Sequence, residues 1–288
     1  MAEAEGSAYG APGERAAGEG PLGAGPSSGG GPTGESVASA GAGANACVDA
    51  AITGVETLLA DVFAGVGVLR ERTAALLRRA SAEGRRPTSA DLATLRPTVL
   101  RHLAESRGTL AGTGVIAAPG ALADRARWLE WWRVPDGTAA GTGEGTPCPL
   151  CVDLDPGSVG AYEYPAADWF DGPRRTGRRT VVGPYVDYAG TDEYILTCAA
   201  PVGFGQDFFG VAAADIRATD FERAVLPLLE AEGGAALLVN ASGRVLASNT
   251  PDSITGSLAP ADARRGAVLP RGDGWADCTG LPWSLVRL

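Results

Sequence analysis

One long apolar stripe constrains the fold of this chain more than any other feature of its sequence. From Ala46 onward, apolar residues recur in steps of four and three, which aligns them along one side of an α-helix ending near Gly84. The stripe consists of Val48, Ile52, Val55, Leu59, Val62, Val66, Leu69 and, one heptad further, Leu76. We predict that this helix lies on a sheet. A dimer seam is the alternative, although Gly54, Gly65 and Gly67 weaken a free-standing coiled coil.

The residues ahead of this helix offer almost nothing to bury. Residues 1–45 consist mainly of Gly, Pro, Ala, Ser and Glu, with runs such as Ser28-Gly29-Gly30-Gly31. Such a composition cannot offset the conformational entropy lost on ordering. We therefore expect residues 1–45 to be a disordered tail.

The charge of the chain excludes several classes of partner. Of its 288 residues, 24 are basic, all of them Arg, and 34 are acidic, which gives a formal net charge of −10. Binding to nucleic acid or to an anionic membrane surface needs positive charge. No stretch approaches the roughly 20 apolar residues of a membrane span, and the N-terminus lacks the regions of a signal peptide. We expect a cytoplasmic protein with no membrane span and no nucleic-acid partner.

Cysteine and histidine are too few for most metal and redox sites. Five Cys do not resemble a disulfide framework, and His102 is the single His. The most chemical-looking motif is Cys148-Pro-Leu-Cys151, but no second pair completes a tetrahedral site and no helix follows it. Nucleophile and phosphate-binding motifs are also missing from any strand–turn–helix context. We predict no catalytic residue, metal or cofactor. An enzyme using the thiols of Cys148 and Cys151 is the alternative.

The second half of the chain is typical of a sheet. Downstream of Thr109 the apolar period becomes two, which predicts strands over 110–118, 127–134, 148–155, 180–188, 193–202 and 207–215. A capped helix over 88–107 precedes them, another over 219–232 follows, and Asn240–Gly243 indicates a hairpin. We predict an α+β fold with a long N-terminal helix on a mainly antiparallel sheet, divided into a domain over 46–232 and a smaller C-terminal α/β or β module over 233–288.

Residues 160–216 carry a succession of motifs. They are Trp169-Phe170, Gly183-Pro-Tyr-Val-Asp187, Ile195-Leu-Thr-Cys-Ala-Ala-Pro-Val202 and Gly210-Val-Ala-Ala-Ala-Asp-Ile216. In this order and spacing they resemble the Cache family of small-molecule sensor domains, relatives of PAS domains, whose entry helix matches the long helix here. Residues 236–248 resemble the opening of the second module of double Cache proteins. The resemblance therefore implies a bacterial, stand-alone member with a shortened second module.

The resemblance also implies ligand binding without chemistry. The amino-acid-binding pattern of the family reads Tyr-x-x-Arg-x-Trp-Tyr, followed by a Tyr and then an Asp. The positions that match it are Tyr164, Trp169, Tyr185 and Asp215, with Phe170 in place of the second Tyr. The Arg position, which would clamp a ligand carboxylate, is Ala167.

The loss of that Arg changes the kind of ligand we expect. Aromatic faces and carboxylates together suit an organic cation, and an unpaired buried Asp is costly. We predict a non-enzymatic sensor that binds an amine or related small metabolite through Tyr164, Trp169, Phe170, Tyr185, Asp187 and Asp215. It would signal through a separate regulatory protein or through a homodimer along the 48–76 helix. Alternatives are an amino-acid or organic-acid binding Cache protein and a structural interaction module without ligand.

Overall fold

The fold is seen in a computed structural model. It describes residues 35–135, 145–188, 190–204, 207–260, 275–277, 281 and 283–288, without the side chains of 35–49, 204 and 275–277. The chain divides into two compact units, Met1–Ala40 and Gly41–Leu288, and the architecture described below belongs to the second.

Five α-helices lie in the described part of the chain. They are α1 (Glu35–Ala82), α2 (Ser89–Ala93), α3 (Arg96–Glu105), α4 (Asp168–Thr176) and α5 (Ala218–Glu230). Helix α1 begins before the predicted Ala46, so the predicted tail is wrong over residues 35–45, where several alanines favour helix. The rest of that tail, residues 1–34, lies outside the described residues. Helix α4 is not predicted from sequence, because Gly172 and Pro173 disfavour helix, and the burial of its apolar side chains stabilises it.

The strands form two antiparallel sheets. The larger contains β1 (Gly112–Ala117), β2 (Trp128–Arg133), β3 (Cys148–Pro149), β4 (Thr180–Val186), β5 (Tyr194–Phe204) and β6 (Asp207–Arg217) in the order β3-β2-β1-β6-β5-β4. The smaller contains β7 (Ala236–Asn240), β8 (Val245–Ser248), β9 (Trp275–Asp277) and β10 (Trp283–Arg287) in the order β8-β7-β10-β9. This confirms the predicted α+β fold with a long helix and a mainly antiparallel sheet.

The predicted strand over 148–155 is mostly wrong. The strand is limited to Cys148 and Pro149, which pair with β2 at the edge of the sheet, and one further backbone hydrogen bond follows, from Leu150 to Trp131. Beyond them the side chain of Asp153 accepts a hydrogen bond from the amide of Asp155, and that of Asp155 accepts one from the amide of Gly157. These local Asx turns compete with the extended ladder and end the strand.

One face of the six-stranded sheet, the helical face, is covered by helices. It carries Leu196, Cys198, Ala212, Ala214 and Ile216 in one hydrophobic cluster with residues of α1, α3 and α5. The predicted stripe supplies the α1 part of this cluster, through Val55, Leu59, Val62, Val66 and Leu69. Since the stripe is buried within a single chain, a dimer along α1 would have to use the opposite side of the helix.

Helix α1 also meets the requirements for a membrane span by length and composition alone. The segment Ala50–Ala82 is long and apolar enough to cross a bilayer, which corrects the expectation that no stretch is. The core helix of a soluble protein passes the same test. Here the apolar stripe of α1 packs into the core under the sheet.

The smaller sheet packs onto the end of the larger one. The predicted hairpin at Asn240–Gly243 joins β7 to β8, with the Asn240 side chain accepting hydrogen bonds from the amides of the turn. The same side chain donates to the carbonyl oxygen of Gly183 in β4, at 2.9 Å. Phe221 of α5 and Trp283 of β10 meet edge to face, with ring centroids 5.5 Å apart. The described residues of β7, β8 and β10 therefore share a core with the rest of the second unit.

Candidate functional site

The opposite face of the six-stranded sheet, the aromatic face, is covered by a loop segment and α4. It presents Ile116, Ala199, Val211 and Ala213, small or medium side chains against which the segment 150–176 packs its aromatic rings. Alternation along each strand separates the two faces, so that Ala214 points to the helices while its neighbour Asp215 points to the aromatic side.

A bulge in β4 turns its end toward the aromatic face. Val182 pairs with Thr197 and Tyr185 pairs with Ile195, so β4 has one residue more than β5 between these pairs. Gly183 allows this geometry, with φ of +137° and a position where a Cβ would lie 2.7 Å from the carbonyl oxygen of Ile195. Because a shift of one residue exchanges the faces of a strand, the bulge places Tyr185 beside Thr197.

A small cavity lies between the aromatic face and the segment that covers it. Its volume is about 10 Å³, which is roughly the space needed by one water molecule. The lining combines apolar, aromatic and acidic side chains: Ile116, Leu129, Trp131, Leu150, Tyr162, Trp169, Tyr185, Asp187, Thr197 and Asp215. Two buried carboxylates thus share one aromatic-walled cavity, called the site cavity below.

Asp215 is the more isolated of the two carboxylates. It lies on the central strand β6, is 7% exposed, and accepts a hydrogen bond of 2.7 Å from the hydroxyl of Thr197. Within the described residues it forms no ion pair, and the nearby charges that act on it are those of other acids. Burial raises the pKa of Asp215 to about 8, with further contributions from the charges of Asp187 and Glu193.

Asp187 is better satisfied, because it also organises a turn. Its carboxylate accepts hydrogen bonds from the amide and hydroxyl of Thr191, at 3.1 and 3.3 Å. It accepts a third from the hydroxyl of Tyr162, at 3.3 Å. Burial raises the pKa of Asp187 above its ordinary value, against the lowering effect of these donors. Asp187 therefore has a structural role that Asp215 lacks.

Two tyrosine hydroxyls complete the polar part of the site cavity. The hydroxyl of Tyr185 lies 2.8 Å from that of Thr197, which links it to Asp215. Burial, with the nearby carboxylates, raises the pKa of both Tyr162 and Tyr185 far above the ordinary range. Both phenols therefore stay neutral, and their rings present electron-rich faces next to the two acids.

The structure brings together four of the six site residues predicted from sequence. Trp169, Tyr185, Asp187 and Asp215 line the site cavity. The other two, Tyr164 and Phe170, do not line it. Tyr164 is fully buried and donates its hydroxyl to the carbonyl oxygen of Ala117 at 2.8 Å.

Phe170 lies in the packing behind the site cavity. Its ring meets those of Tyr164 and Phe208 edge to face, at 5.2 and 5.4 Å between centroids. Phe170 also meets Trp169 edge to face, at 6.0 Å between centroids, so it supports Trp169 rather than lining the cavity.

Several residues that line the site cavity were not predicted from sequence. The alternation of side chains along the strands could have identified one of them, Thr197. Thr197 is opposite Asp215 in the ladder of β5 and β6, so it shares the face of that acid. Tyr162, Trp131 and Leu150 come from other parts of the chain, and only the fold brings them to the site cavity.

The cysteine motif lies at the edge of this site. Cys148 and Cys151 are both free thiols, the first half-buried and the second exposed. Between them, Leu150 lines the site cavity. Among the described residues no group of three or more His, Cys, Asp and Glu is placed to hold a metal ion.

A larger groove lies on the helical side of the molecule, between α1, α3 and α5. Its volume is about 670 Å³, and it opens widely to solvent. The charged side chains along it include Arg223 and Asp220, which pair with each other at 2.6 Å. Since it contains no buried acid without a counter-charge, the groove is a weaker candidate for a small-molecule site than the site cavity.

Comparison with known proteins gives structural neighbours only. No model of a known protein family matches the sequence, and a search of curated proteins finds no match. The fold is similar to that of the sensory domain of the Campylobacter jejuni chemoreceptor Tlp3, with a TM-score of 0.58 and 11% identity over 87% of this chain and 93% of that one.

Two amino-acid-bound domains are also similar. The ligand-binding domain of the Pseudomonas aeruginosa amino-acid chemoreceptor PctB, in complex with L-Arg, has a TM-score of 0.53 and 18% identity over 84% of this chain and 93% of that one. That of the Pseudomonas fluorescens chemoreceptor CtaA, in complex with L-valine, has a TM-score of 0.53 and 16% identity over 86% and 96%. The chain thus has the Cache-type fold of chemoreceptor sensory domains.

Proposed function

We propose that this chain is a sensor domain that binds a small organic ammonium ion in the site cavity. The observation that carries the proposal is Asp215, a carboxylate buried on the central strand with one hydroxyl donor and no cation among the described residues. A buried acid without a counter-charge destabilises the folded state. An ammonium ligand would supply the missing charge and hydrogen bonds.

The aromatic lining supports the same class of ligand. Trp131 and Trp169 are each 6% exposed, and with Tyr162 and Tyr185 they surround the two acids. The faces of such rings attract cations, most strongly where water is excluded. The apolar members of the lining, Ile116, Leu129 and Leu150, would hold the alkyl part of the ligand. We assign the charge contact to Asp215 and a secondary contact to Asp187.

The site cavity has to widen before it can hold an amine. About 10 Å³ is too little for even a small alkylammonium ion. Leu150 and Tyr162 lie in the segment 150–176 that covers the aromatic face, called the covering segment below. The weak 3.3 Å hydrogen bond from Tyr162 to Asp187 holds this segment over the two acids. An ammonium group would compete for Asp187 and release Tyr162. Ligand binding would in this way move the covering segment.

An amino acid is the second candidate, favoured by the amino acids bound to the PctB and CtaA domains. Against it, none of the lining residues is basic, and Ala167 stands where the family pattern has the carboxylate-binding Arg. A ligand carboxylate would meet two acids instead. The lining therefore favours an amine without a carboxylate.

The output of such a sensor would need a second protein or a second copy of this chain. The exposed side of α1, opposite its buried stripe, is one surface for such a contact. The hydrogen bond from Asn240 to Gly183 connects β4, which carries Tyr185, to the smaller sheet. We propose that a separate regulatory protein or a homodimer responds to the movement that ligand binding causes.

Calorimetric titration of the full chain at pH 8.5 tests the proposal. The ligands are propylammonium, 1-propanol, L-valine, L-arginine and propionate. We expect heat of binding for propylammonium and none for 1-propanol, which has the same alkyl chain without the charge. Binding of L-valine with no binding of propylammonium would support the amino-acid alternative. If none of the five compounds produces heat of binding, the result would contradict a sensor of amines or amino acids.

A further inference from the structure

We propose that Cys148 and Cys151 form a reversible disulfide that detaches β3 and opens one wall of the site cavity. Both thiols are free, and Cys151 is exposed. Its thiol points back along the chain, toward the carbonyl oxygen of Pro149 at 3.8 Å. Two thiols separated by two residues, one of them accessible to solvent, can exchange with a disulfide in solution.

The extended pairing of residues 148–150 with β2 disfavours that disulfide. Cys148 and Pro149 are extended and pair with Arg133 and Trp132 of β2. The pairing continues one residue further, because the amide of Leu150 donates to the carbonyl oxygen of Trp131 at 3.0 Å. Three extended steps span about 10 Å between Cα atoms. A disulfide requires about 4.4–6.8 Å. Oxidation therefore has to bend residues 148–151 into a turn.

Such a bend would act directly on the site cavity. Leu150 is both the residue that continues the pairing with β2 and a wall of the cavity, next to Trp131. Bending would break the hydrogen bond from Leu150 to Trp131 and withdraw the Leu150 side chain. Water would then reach the two acids and weaken their attraction for a cation.

The chemistry balances with a low-molecular-weight disulfide as oxidant. The Cys151 thiolate attacks that disulfide, forms a mixed disulfide and releases one thiolate of the oxidant. The Cys148 thiolate then attacks the Sγ of Cys151, which closes the internal S–S bond and releases the second. The two protons lost by the cysteines protonate the two released thiolates. A thiol reductant reverses both steps.

The test equilibrates the full chain in buffers of graded ratios of reduced to oxidised glutathione. Peptide mass mapping should find the segment with both cysteines lighter by two hydrogens in the oxidised protein and restored by excess reduced glutathione. The matched control is the Cys148→Ser/Cys151→Ser variant, which keeps the three other cysteines. Mixed disulfides with glutathione at Cys151, without the internal bond, would overturn the proposal.

The structural consequence is read by hydrogen exchange, which needs no ligand. The amide of Leu150 should exchange at least tenfold faster in the oxidised protein, whereas the amides of β1, which lies inside the sheet, should not change. An internal disulfide with unchanged exchange at Leu150 would overturn the link to β3.

The effect on binding rests on the proposed function and is measured separately. Propylammonium should bind the oxidised protein about tenfold more weakly than the reduced protein, with no redox effect in the double Ser variant. Equal affinities of the two forms would overturn the link to the site cavity. Absence of binding to the reduced protein would contradict the proposed function instead, and the exchange experiment would still decide whether the disulfide detaches β3.

Discussion

The two faces of the six-stranded sheet are both buried, but they bury different kinds of residue. On the helical face, Leu196, Ala212, Ala214 and their neighbours pack against helices in a continuous apolar cluster. On the aromatic face, the same strands present Thr197 and Asp215 to a cavity closed by a loop segment and one short helix. Ala214 and Asp215 are adjacent in sequence.

The helical face stabilises the fold, whereas the aromatic face is the one at which we propose ligand binding. Apolar side chains need no hydrogen-bond partner or counter-charge when they are buried, whereas a buried acid lowers stability unless a partner compensates for its charge. Residues that break the rules of local stability are expected at functional sites.

An additional acid at the preceding position, on the helical face, should be far more damaging than the acid at position 215. Ala214→Asp places a carboxylate among apolar residues of the helical face, where Ala214 is fully buried. We expect a loss of at least ~4 kcal/mol in the free energy of unfolding, or failure to fold. Urea denaturation measures it, with Ala214→Ser as the milder control. A cost near 1 kcal/mol would contradict the difference between the faces.

Neutralising the native acid should remove ligand binding. Asp215→Asn keeps the shape of the side chain and removes its charge, and we expect propylammonium affinity to fall at least 100-fold, or ~2.7 kcal/mol. Asp187→Asn should have a smaller effect, because Asp187 is also held by Thr191. Calorimetry measures both. A larger loss in Asp187→Asn would reverse the roles that we assign to the two acids.

The same substitution should stabilise the ligand-free protein at high pH. Burial raises the pKa of Asp215 to about 8, well above the ordinary value of 3.8. The folded protein thus holds a proton that the unfolded chain releases, so stability falls as pH rises from about 4 to about 8. We expect Asp215→Asn to gain on the order of 2 kcal/mol at pH 9 and little at pH 4. Thermal unfolding across this range checks it, and an equal gain at both pH values would contradict the assigned cause.

The smallest effect on affinity should come from removing the hydrogen bond that holds the covering segment over the acids. Tyr162→Phe removes the 3.3 Å hydrogen bond to Asp187 and leaves the ring in place. Because the ligand no longer has to displace that hydroxyl, affinity for propylammonium should rise a few-fold, about 0.5–1 kcal/mol. Tyr164→Phe is the matched control, since its hydroxyl contacts Ala117 away from the cavity. It should lower stability slightly and leave affinity unchanged.

How far the sequence predicts this molecule depends on how local the signal is. The apolar stripe of α1 and the period of two in β5 and β6 are local patterns, and both elements follow them. Helix α4 is stabilised by the burial of Trp169 and Phe170 against strand residues distant in sequence, so no local pattern predicts it.

The candidate site shows the same limit. Family resemblance brought Trp169, Tyr185 and Asp215 forward, and they meet in the site cavity. The same resemblance also predicted Tyr164 as a site residue. Its ring instead packs behind the cavity. Trp131 and Leu150 are contributed by β2 and by the residue after β3, and only the sheet order brings them to Asp215.

The most direct test of a cation bound at Asp215 is the affinity of propylammonium as a function of pH. An alkylammonium ion, like Lys with a pKa near 10.4, stays charged up to about pH 9, so the titration reports the protein. Since the pKa of Asp215 is raised to about 8, affinity should rise about tenfold per pH unit from pH 6 toward 8 and level off above it. The rise should disappear in Asp215→Asn. An affinity that does not change with pH in the wild-type chain, or 1-propanol binding as tightly as propylammonium, would contradict the account.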